Sequence, residues 1–393
     1  MPELYPPLRP PARLLMGPGP SMVSPRVYEA LAKPIVGHLD PYLFEVVEEV
    51  RSLLQLVFGT SNPYTIAISG TGSSGMETAV ANFVEPGDKV AVFYAGYFSD
   101  RIAEMAQRHG GNVVRFEKPW GETFEDGEAR ELILRERPRV VAYVQAETST
   151  GAFQKGKAIC DAAHEVGALV IADCVTSLGG MPVEVDKTGI DIAYSCSQKG
   201  LGCPPGMAPI TVSPRALEKL NARKTPVPVW YMDLKLLDGY YNGPRRYHHT
   251  SSATLWYGLR EALALVAEEG LEERFARHLR NHRAFVAGIE AMGMRMLVAE
   301  GSRLWTLNTP RVPEGVEEPK VRKRLLEEYG IEIAGGFGPL AGKIFRIGVM
   351  GYSSTRENVF TVLDALAAVL QAEGYTPAAD GKAAAERVLA ATA

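Results

Sequence analysis

Cysteine is scarce in this chain: Cys160, Cys174, Cys196 and Cys203 are the four in 393 residues. None forms a Cys-x-x-Cys pair, so neither a disulfide framework nor the ligand spacing of a zinc site is present. They read as free thiols of a reducing compartment, and a cytoplasmic location is expected. No apolar run is long enough to cross a bilayer, so no membrane partner is expected. There is no long basic run, and the formal net charge is -4. A protein that tracks phosphates along a nucleic acid carries a basic patch, so that partner class is not expected either. Met1 to Pro11 is proline-rich without an apolar stretch and is not expected to be a secretory leader. The final Ala-Thr-Ala matches no peroxisomal address.

Hydrophobic residues make up 46% and charged residues 22%, which is a folding composition rather than a disordered one. At this length two units are expected, a larger one over 1–260 and a smaller one over 261–393. Regular patterning starts at Asp40-Pro41, a helix cap followed by proline at the first helical position. Leu43, Val46, Val47, Val50, Leu53, Leu54 and Val57 continue at helical spacing, and Gly59 ends the helix. Apolar runs then alternate with amphipathic segments. The runs are Tyr64–Ser69, Lys89–Phe93, Arg139–Gln145, Ala168–Ala172, Ile190–Ser195 and Ala208–Val212. Helices are expected between most of them, as at Gly96–His109 and Lys155–Val166. Strands apolar on both faces, alternating with helices, predict an α/β fold with a mainly parallel sheet covered by helices. Lys224–Thr250, rich in Pro, Tyr, Gly and Arg, reads as a long loop or crossover. Beyond it come a long helical pattern from Ser251, shorter strands near Met294–Val298, Leu304–Leu307, Ile331–Ala334 and Ile344–Ile347, and two closing helices.

Ligands of such sheets sit at the carboxyl ends of the strands. Polar residues fall there at Thr71-Gly72-Ser73, Ser149-Thr150-Gly151, Asp173 and Gln198-Lys199. The run Ser69 to Gly75 follows a strand and opens a helix. Its glycines permit close backbone approach, and free N–H groups at a helix start attract an anion such as phosphate. The plain alternative is a tight glycine turn, and Gly70, Gly72 and Gly75 also satisfy the weak dinucleotide fingerprint. That second option needs an acidic residue at the end of the next strand, which ends Val92-Phe93-Tyr94-Ala95 without one. Asp173, ending an apolar strand, is either a turn residue or the partner of a cationic group such as a ring N–H. Lys199 is either a solvated surface lysine or a desolvated amine that forms a Schiff base with a carbonyl cofactor. Arg346, alone in the apolar strand Ile344–Ile347, wants a carboxylate, internal or from a substrate. Phe98 is either a core aromatic or a ring stacked on a flat cofactor. His248 and His249 are adjacent, and in an extended chain they diverge, so no metal site is read there.

Several segments resemble one family. They are Leu15-Met16-Gly17-Pro18-Gly19-Pro20-Ser21, Gly37-His38, Ser69–Gly72, Glu147-Thr148-Ser149-Thr150-Gly151, Asp173-Cys174-Val175-Thr176-Ser177-Leu178-Gly179-Gly180, Gly189-Ile190-Asp191, Ser195–Gly200, Pro204-Pro205-Gly206, Tyr247–Thr250, Gly335–Gly338 and Lys343–Gly348. Together they resemble the class V aminotransferases of pyridoxal-phosphate (PLP) fold type I, and within them the alanine–glyoxylate and serine–glyoxylate group. The resemblance implies a large domain with a mainly parallel seven-stranded sheet sandwiched by helices, plus a smaller α+β C-terminal domain. It implies pyridoxal 5'-phosphate as cofactor and a homodimer with a shared active site. Lys199 would carry the cofactor and Asp173 would hold its ring nitrogen. Val175 and Phe98 would pack on the ring, and Ser149 would lie near the ring hydroxyl. Thr71, Gly72, Ser73 and Gln198 would bind the phosphate, with Tyr247 and Thr250 arriving from a second subunit. Arg346 would bind the substrate carboxylate. The sequence departs from the family at two places. Phe98 stands where tryptophan is frequent, and Ser73 where mammalian members have histidine.

The expected reaction is a ping-pong amino transfer from a small amino acid, alanine or serine, to glyoxylate or pyruvate. Other class V enzymes acting on phosphoserine or an aminophosphonate, and a cysteine desulfurase, are the alternatives in the same fold. The desulfurase would need a mobile catalytic cysteine and usually a histidine stacked on the ring.

Overall fold

The computed structural model describes Tyr5 and residues 7–391. Met1–Leu4, Pro6 and the last two residues lie outside it, and with them part of what was expected of the two ends. Among the described residues no helix is long and apolar enough to cross a membrane.

Seven strands form one sheet: Tyr64–Ser69, Lys89–Tyr94, Asn112–Glu117, Val140–Val144, Leu169–Asp173, Ile192–Tyr194 and Met207–Val212. Across the sheet the order is 64–69, 207–212, 192–194, 169–173, 140–144, 89–94, 112–117. Six strands run in one direction, whereas Met207–Val212 is antiparallel to both of its neighbours. The parallel register sets Val144, Asp173 and Tyr194 side by side at one end of the sheet. Helices Gly72–Phe83, Tyr97–Arg108, Asp126–Glu136 and Lys157–Glu165 connect strands. Such crossovers cover both faces and account for the unbroken apolar composition of the strands.

The cap signals act as the sequence implies. The Asp40 side chain accepts the Tyr42 N–H at 2.9 Å, and Gly59 closes the Pro41–Phe58 helix with φ of 64°. The Lys224–Thr250 stretch is more ordered than expected. It holds the helix Leu234–Tyr241, whose Asp233 cap accepts the Lys235 N–H and which buries Leu234, Leu237, Tyr240 and Tyr241.

One hydrophobic core surrounds the large sheet and draws on residues from Val27 to Val266. A second core combines Met16 with residues from Ala284 to Ala385. It contains the helices Leu271–Ala291, Glu318–Tyr329 and Arg356–Ala372 and a three-stranded sheet of Leu307–Asn308, Phe345–Gly348 and Ala334–Gly335. The expected strand at Met294–Val298 is reduced to a single bridge between Met296 and Pro310. The last helix, Gly381–Ala391, packs into this core through Ala385, and Gly288 and Gly381 leave no space for a side chain where helix 271–291 meets it.

The N-terminal arm links the two cores. Leu14–Leu15 pairs in parallel with Ile331–Glu332, and the Gly348 N–H donates to the Met16 carbonyl at 2.8 Å. A few residues on, the Ser21 N–H donates to the Gln198 carbonyl at 2.9 Å, and Ser21 Oγ donates to the Lys199 carbonyl at 2.8 Å.

Candidate active site

The end of the sheet that carries Asp173 gathers most of the expected residues. Asp173 is buried. Its Oδ1 accepts the Val175 N–H at 2.9 Å and its Oδ2 accepts the Tyr194 hydroxyl at 2.8 Å. Burial outweighs these bonds and lifts its carboxyl from the ordinary range to about 7. Among the described residues no cation stands within ion-pair distance of it. A buried carboxylate without a cation, at the mouth of a sheet, fits a ligand that brings its own positive group.

Lys199 lies just past the next strand, beneath the arm. Its Nζ donates to the Pro18 carbonyl. A Cβ on Gly19 would overlap the lysine side chain, which is why the arm reads Gly-Pro-Gly-Pro here. Burial, with the Arg346 charge adding to it, holds the Lys199 ammonium below the usual lysine value. A larger share of neutral amine follows. Gln198 beside it has a buried Oε1 without a hydrogen-bond partner.

Thr71 begins the Gly72–Phe83 helix in an extended conformation. A Cβ on Gly72 would press on Val175 and Cys196, with both distances under 3.4 Å, so the helix start lies against the Asp173 loop. Thr71 and Ser73 are exposed, and Ser73 Oγ accepts from Arg101 Nη1 at 2.9 Å.

Phe98 opens the Tyr97–Arg108 helix, half-buried, with Arg101 over its ring at 5.0 Å. The turn before it is held by Glu147. This buried carboxylate accepts the N–H groups of Phe98 at 3.3 Å and Ser99 at 3.2 Å, and the Ser149 hydroxyl at 2.6 Å. A carboxylate at a helix start answers the unpaired N–H groups there. Gly96 is required because a Cβ would collide with the Glu147 carboxylate. Ser149, besides donating to Glu147, accepts the Tyr97 N–H at 2.9 Å. Its hydroxyl is therefore engaged with the helix start.

Arg346 is buried in its strand. Its Nε donates to the Gly335 carbonyl at 2.6 Å and its Nη1 to the Thr148 carbonyl at 3.4 Å. The guanidinium lies 3.9 Å from the Phe337 ring centroid, and Phe337 in turn meets Tyr97 at 4.9 Å. Burial lowers its pKa to about 10. Among the described residues no carboxylate forms an ion pair with it, so the internal salt bridge that the sequence left open is not there.

Tyr247 and Thr250 do not join this cluster within the chain. Both are exposed, and the Tyr247 ring meets that of His38 at 5.2 Å. Between them His248 and His249 are buried, and they do not diverge as expected. Their Nδ1 atoms are 2.8 Å apart, because the segment is irregular rather than extended. Among the described residues no group of three potential metal ligands includes them.

Three residues of the site have no motif of their own in the sequence, Arg101, Tyr194 and Arg274, and Glu147 lies in a segment of the family resemblance without a role. Arg274, from the Leu271–Ala291 helix, donates through Nε to the Gly179 carbonyl and through Nη2 to the Gly200 carbonyl, both at 2.6 Å. It thus ties together the loops that follow Asp173 and Lys199. Its Nη1 pairs with Glu269 at 2.6 Å. A neighbouring cavity of about 890 Å³, lined by Leu201, Gly202, Arg274, Arg277 and Tyr352 among others, contains none of the expected site residues.

Known proteins resemble this chain over most of its length. The family model for aminotransferase class-V matches residues 23–359. The (S)-ureidoglycine–glyoxylate transaminase of Bacillus subtilis is 40% identical over 92% of this chain and 91% of its own. The alanine–glyoxylate aminotransferase of Drosophila melanogaster is 40% identical over 93% of this chain and 94% of its own. Among solved structures, the alanine–glyoxylate aminotransferase of Nostoc sp. superposes with a TM-score of 0.92 at 48% identity, covering 94% of this chain and 98% of the other. A family model over most of the length and relatives at such identity lead to one assignment: this chain belongs to the class V aminotransferases.

Proposed function

We propose that this enzyme transfers the amino group of a small amino acid, alanine or serine, to glyoxylate, with pyridoxal 5'-phosphate held at Lys199. The observation that carries the reading is a pair of buried ionisable groups, Asp173 at the end of the large sheet and Arg346 in the strand Phe345–Gly348, which reaches the Thr148 carbonyl. Among the described residues Asp173 has no ion-pairing cation and Arg346 no ion-pairing carboxylate. The residues fit the cofactor: an amine in reach of an aldehyde, a carboxylate for a ring N–H, an uncharged cradle at a helix start, and an orphaned amide oxygen at Gln198.

When bound, the cofactor supplies a ring that takes up the electrons released at the substrate α-carbon. The rest is done by side chains. Asp173 would keep a proton on the ring nitrogen, and its elevated pKa in the empty chain would fall once that positive partner arrives. The Val175 N–H and the Tyr194 hydroxyl each hold one oxygen of that carboxylate in place. Lys199, freed when the substrate amine takes its place on the cofactor and with its ammonium destabilised by burial, would take the proton from the substrate α-carbon and hold it on Nζ for delivery to the cofactor carbon. Arg346 binds the substrate carboxylate in a bidentate fork, the geometry guanidinium groups favour. Phe337 and Tyr97 wall that position, which suits a short side chain. Val175 and Phe98 would enclose the ring, and Ser149 holds the Phe98 turn through Glu147.

The names of the relatives at about 40% identity, a ureidoglycine–glyoxylate and an alanine–glyoxylate enzyme, support glyoxylate as acceptor. The alternatives receive no comparable support: all four cysteines are buried, which does not suit a mobile desulfurase nucleophile. The shared dimer site is part of the proposal. Tyr247 and Thr250 are exposed, and Ile35, Leu39, Tyr42, Trp230 and Tyr247 are large apolar side chains left open to solvent by a single chain. Because the site is proposed to be completed by a partner, homodimers are expected, and the four free cysteines support a reducing, cytoplasmic location.

The test is spectroscopic. The purified protein, loaded with pyridoxal 5'-phosphate, should show a visible band that fades with L-alanine or L-serine and returns with glyoxylate. Lys199→Ala should abolish the cycle. A protein that stays colourless with the added cofactor would refute the reading, and one that is coloured but blind to both donors would refute the substrate assignment.

A further inference from the structure

The proposed phosphate cradle has no charge of its own. Thr71, Gly72, Ser73 and Gln198 are neutral, and a helix start contributes only about half a unit charge. A phosphate monoester carries about -1.5 to -2 near neutral pH. A cation is therefore missing from the set expected from sequence.

We propose that Arg101 is the cofactor-binding residue that supplies this charge, an inference that rests on the cofactor reading above. Its Nη1 donates to Ser73 Oγ at 2.9 Å, so the guanidinium stands at the cradle itself. Arginine has five N–H donors, and a fork of two matches a phosphate edge. Among the described residues Arg101 forms no ion pair. Asp100 beside it is taken by Arg115 at 2.8 Å. A half-buried arginine without a carboxylate, next to a hydroxyl that could itself bond an anion, has its charge in reserve.

The helix explains the placement. Phe98 and Arg101 are three residues apart in the Tyr97–Arg108 helix, so they share a face. The guanidinium packs at 5.0 Å from the Phe98 centroid and 5.2 Å from that of Tyr97. The guanidinium is held against those rings, which fixes the charge with little further loss of rotamer freedom. One helix turn would then deliver both the stacking ring and the phosphate charge. Glu147 sets the start of that turn. The same charge reaches Asp173, where it opposes the upward effect of burial.

The experiment separates phosphate from ring. The full chain is stripped of cofactor and titrated by calorimetry with pyridoxal 5'-phosphate and, separately, with pyridoxal, which lacks the phosphate. Arg101→Met keeps the length and the packing on Phe98 but removes the charge. Its affinity for pyridoxal 5'-phosphate should fall roughly 10- to 100-fold, the range of a charge-assisted hydrogen bond, with pyridoxal binding unchanged. Arg101→Lys should fall between. If Arg101→Met binds both compounds as the unaltered chain does, the inference is overturned while the proposed function stands. Equal weakening of both also overturns it, since that outcome marks a ring support. Failure of the unaltered chain to take up pyridoxal 5'-phosphate would instead overturn the functional reading.

Discussion

His278 gives a quantitative test of how the second core supports the active site. Its imidazole is buried and makes two backbone bonds. Nδ1 donates to the Arg274 carbonyl at 2.7 Å, and Nε2 accepts the Gly351 N–H at 2.9 Å. This pattern requires the neutral ring. Burial, then the charges of Arg274 and Arg277, push its pKa well below 6.5. A depressed histidine contributes stability that is present above the unfolded value and lost as pH falls, because only the unfolded chain takes the proton. The slope is about 1.4 kcal/mol per pH unit below roughly 6.5. Between pH 7 and pH 5 the loss from this residue is about 1.9 kcal/mol. His278→Gln removes it. At pH 7 the variant should be less stable by about 1–3 kcal/mol, since a buried backbone group loses a good partner. As the pH falls to 5, this gap should narrow by about 1.9 kcal/mol. Other titrating groups are common to both proteins and cancel: His249 and His282, each held near about 4, and Asp173, raised to about 7 and acting in the opposite direction. The assay is urea unfolding followed by circular dichroism at pH 7, 6 and 5 on cofactor-free protein. A gap that stays constant over that range would refute the buried neutral imidazole.

Further expectations concern the site. Arg346→Leu should raise KM for donor and acceptor alike and cut kcat/KM by roughly two orders of magnitude, the scale of a lost charge-assisted carboxylate contact; steady-state kinetics with both substrates checks it. Tyr194→Phe removes the 2.8 Å donor to Asp173 Oδ2. It should raise the Asp173 pKa further and weaken cofactor binding by about 1 kcal/mol, readable by titration of the cofactor-free chain. Gly19→Ala places a methyl group into the Lys199 side chain at a φ of 113°. It should block cofactor loading while leaving far-ultraviolet circular dichroism unchanged, and normal loading would contradict the packing described.

Six of the seven strands of the large sheet coincide with apolar runs in the sequence. The seventh, Asn112–Glu117, escapes notice because it is an edge strand: Asn112, Arg115 and Glu117 break the apolar run, and only Phe116 is buried. The reversed direction of Met207–Val212 was not legible. A strand buried on both faces has the same composition whichever way it runs. In the second unit the strands have only two to four residues, too few for a period to register, and Ile331–Ala334 divides between two sheets. For the site, Lys199, Asp173 and Arg346 stand out because each is a polar residue at the end or in the middle of an apolar strand. Arg101 and Arg274 do not. Each lies on an amphipathic helix where arginine is unremarkable, and only the fold brings them to the cradle and to the lysine loop.

The route of the N-terminal arm has a consequence for biosynthesis. Lys199 is covered by Pro18 and Gly19, whose neighbours Leu14, Leu15 and Met16 are fastened to strands at 331–332 and 345–348. The arm therefore has to wait for strands that are made after the whole large sheet before it can settle over the lysine. A nascent chain that already contains the whole large sheet would still lack its lid, so the reactive amine is enclosed only once residues 331–348 have emerged.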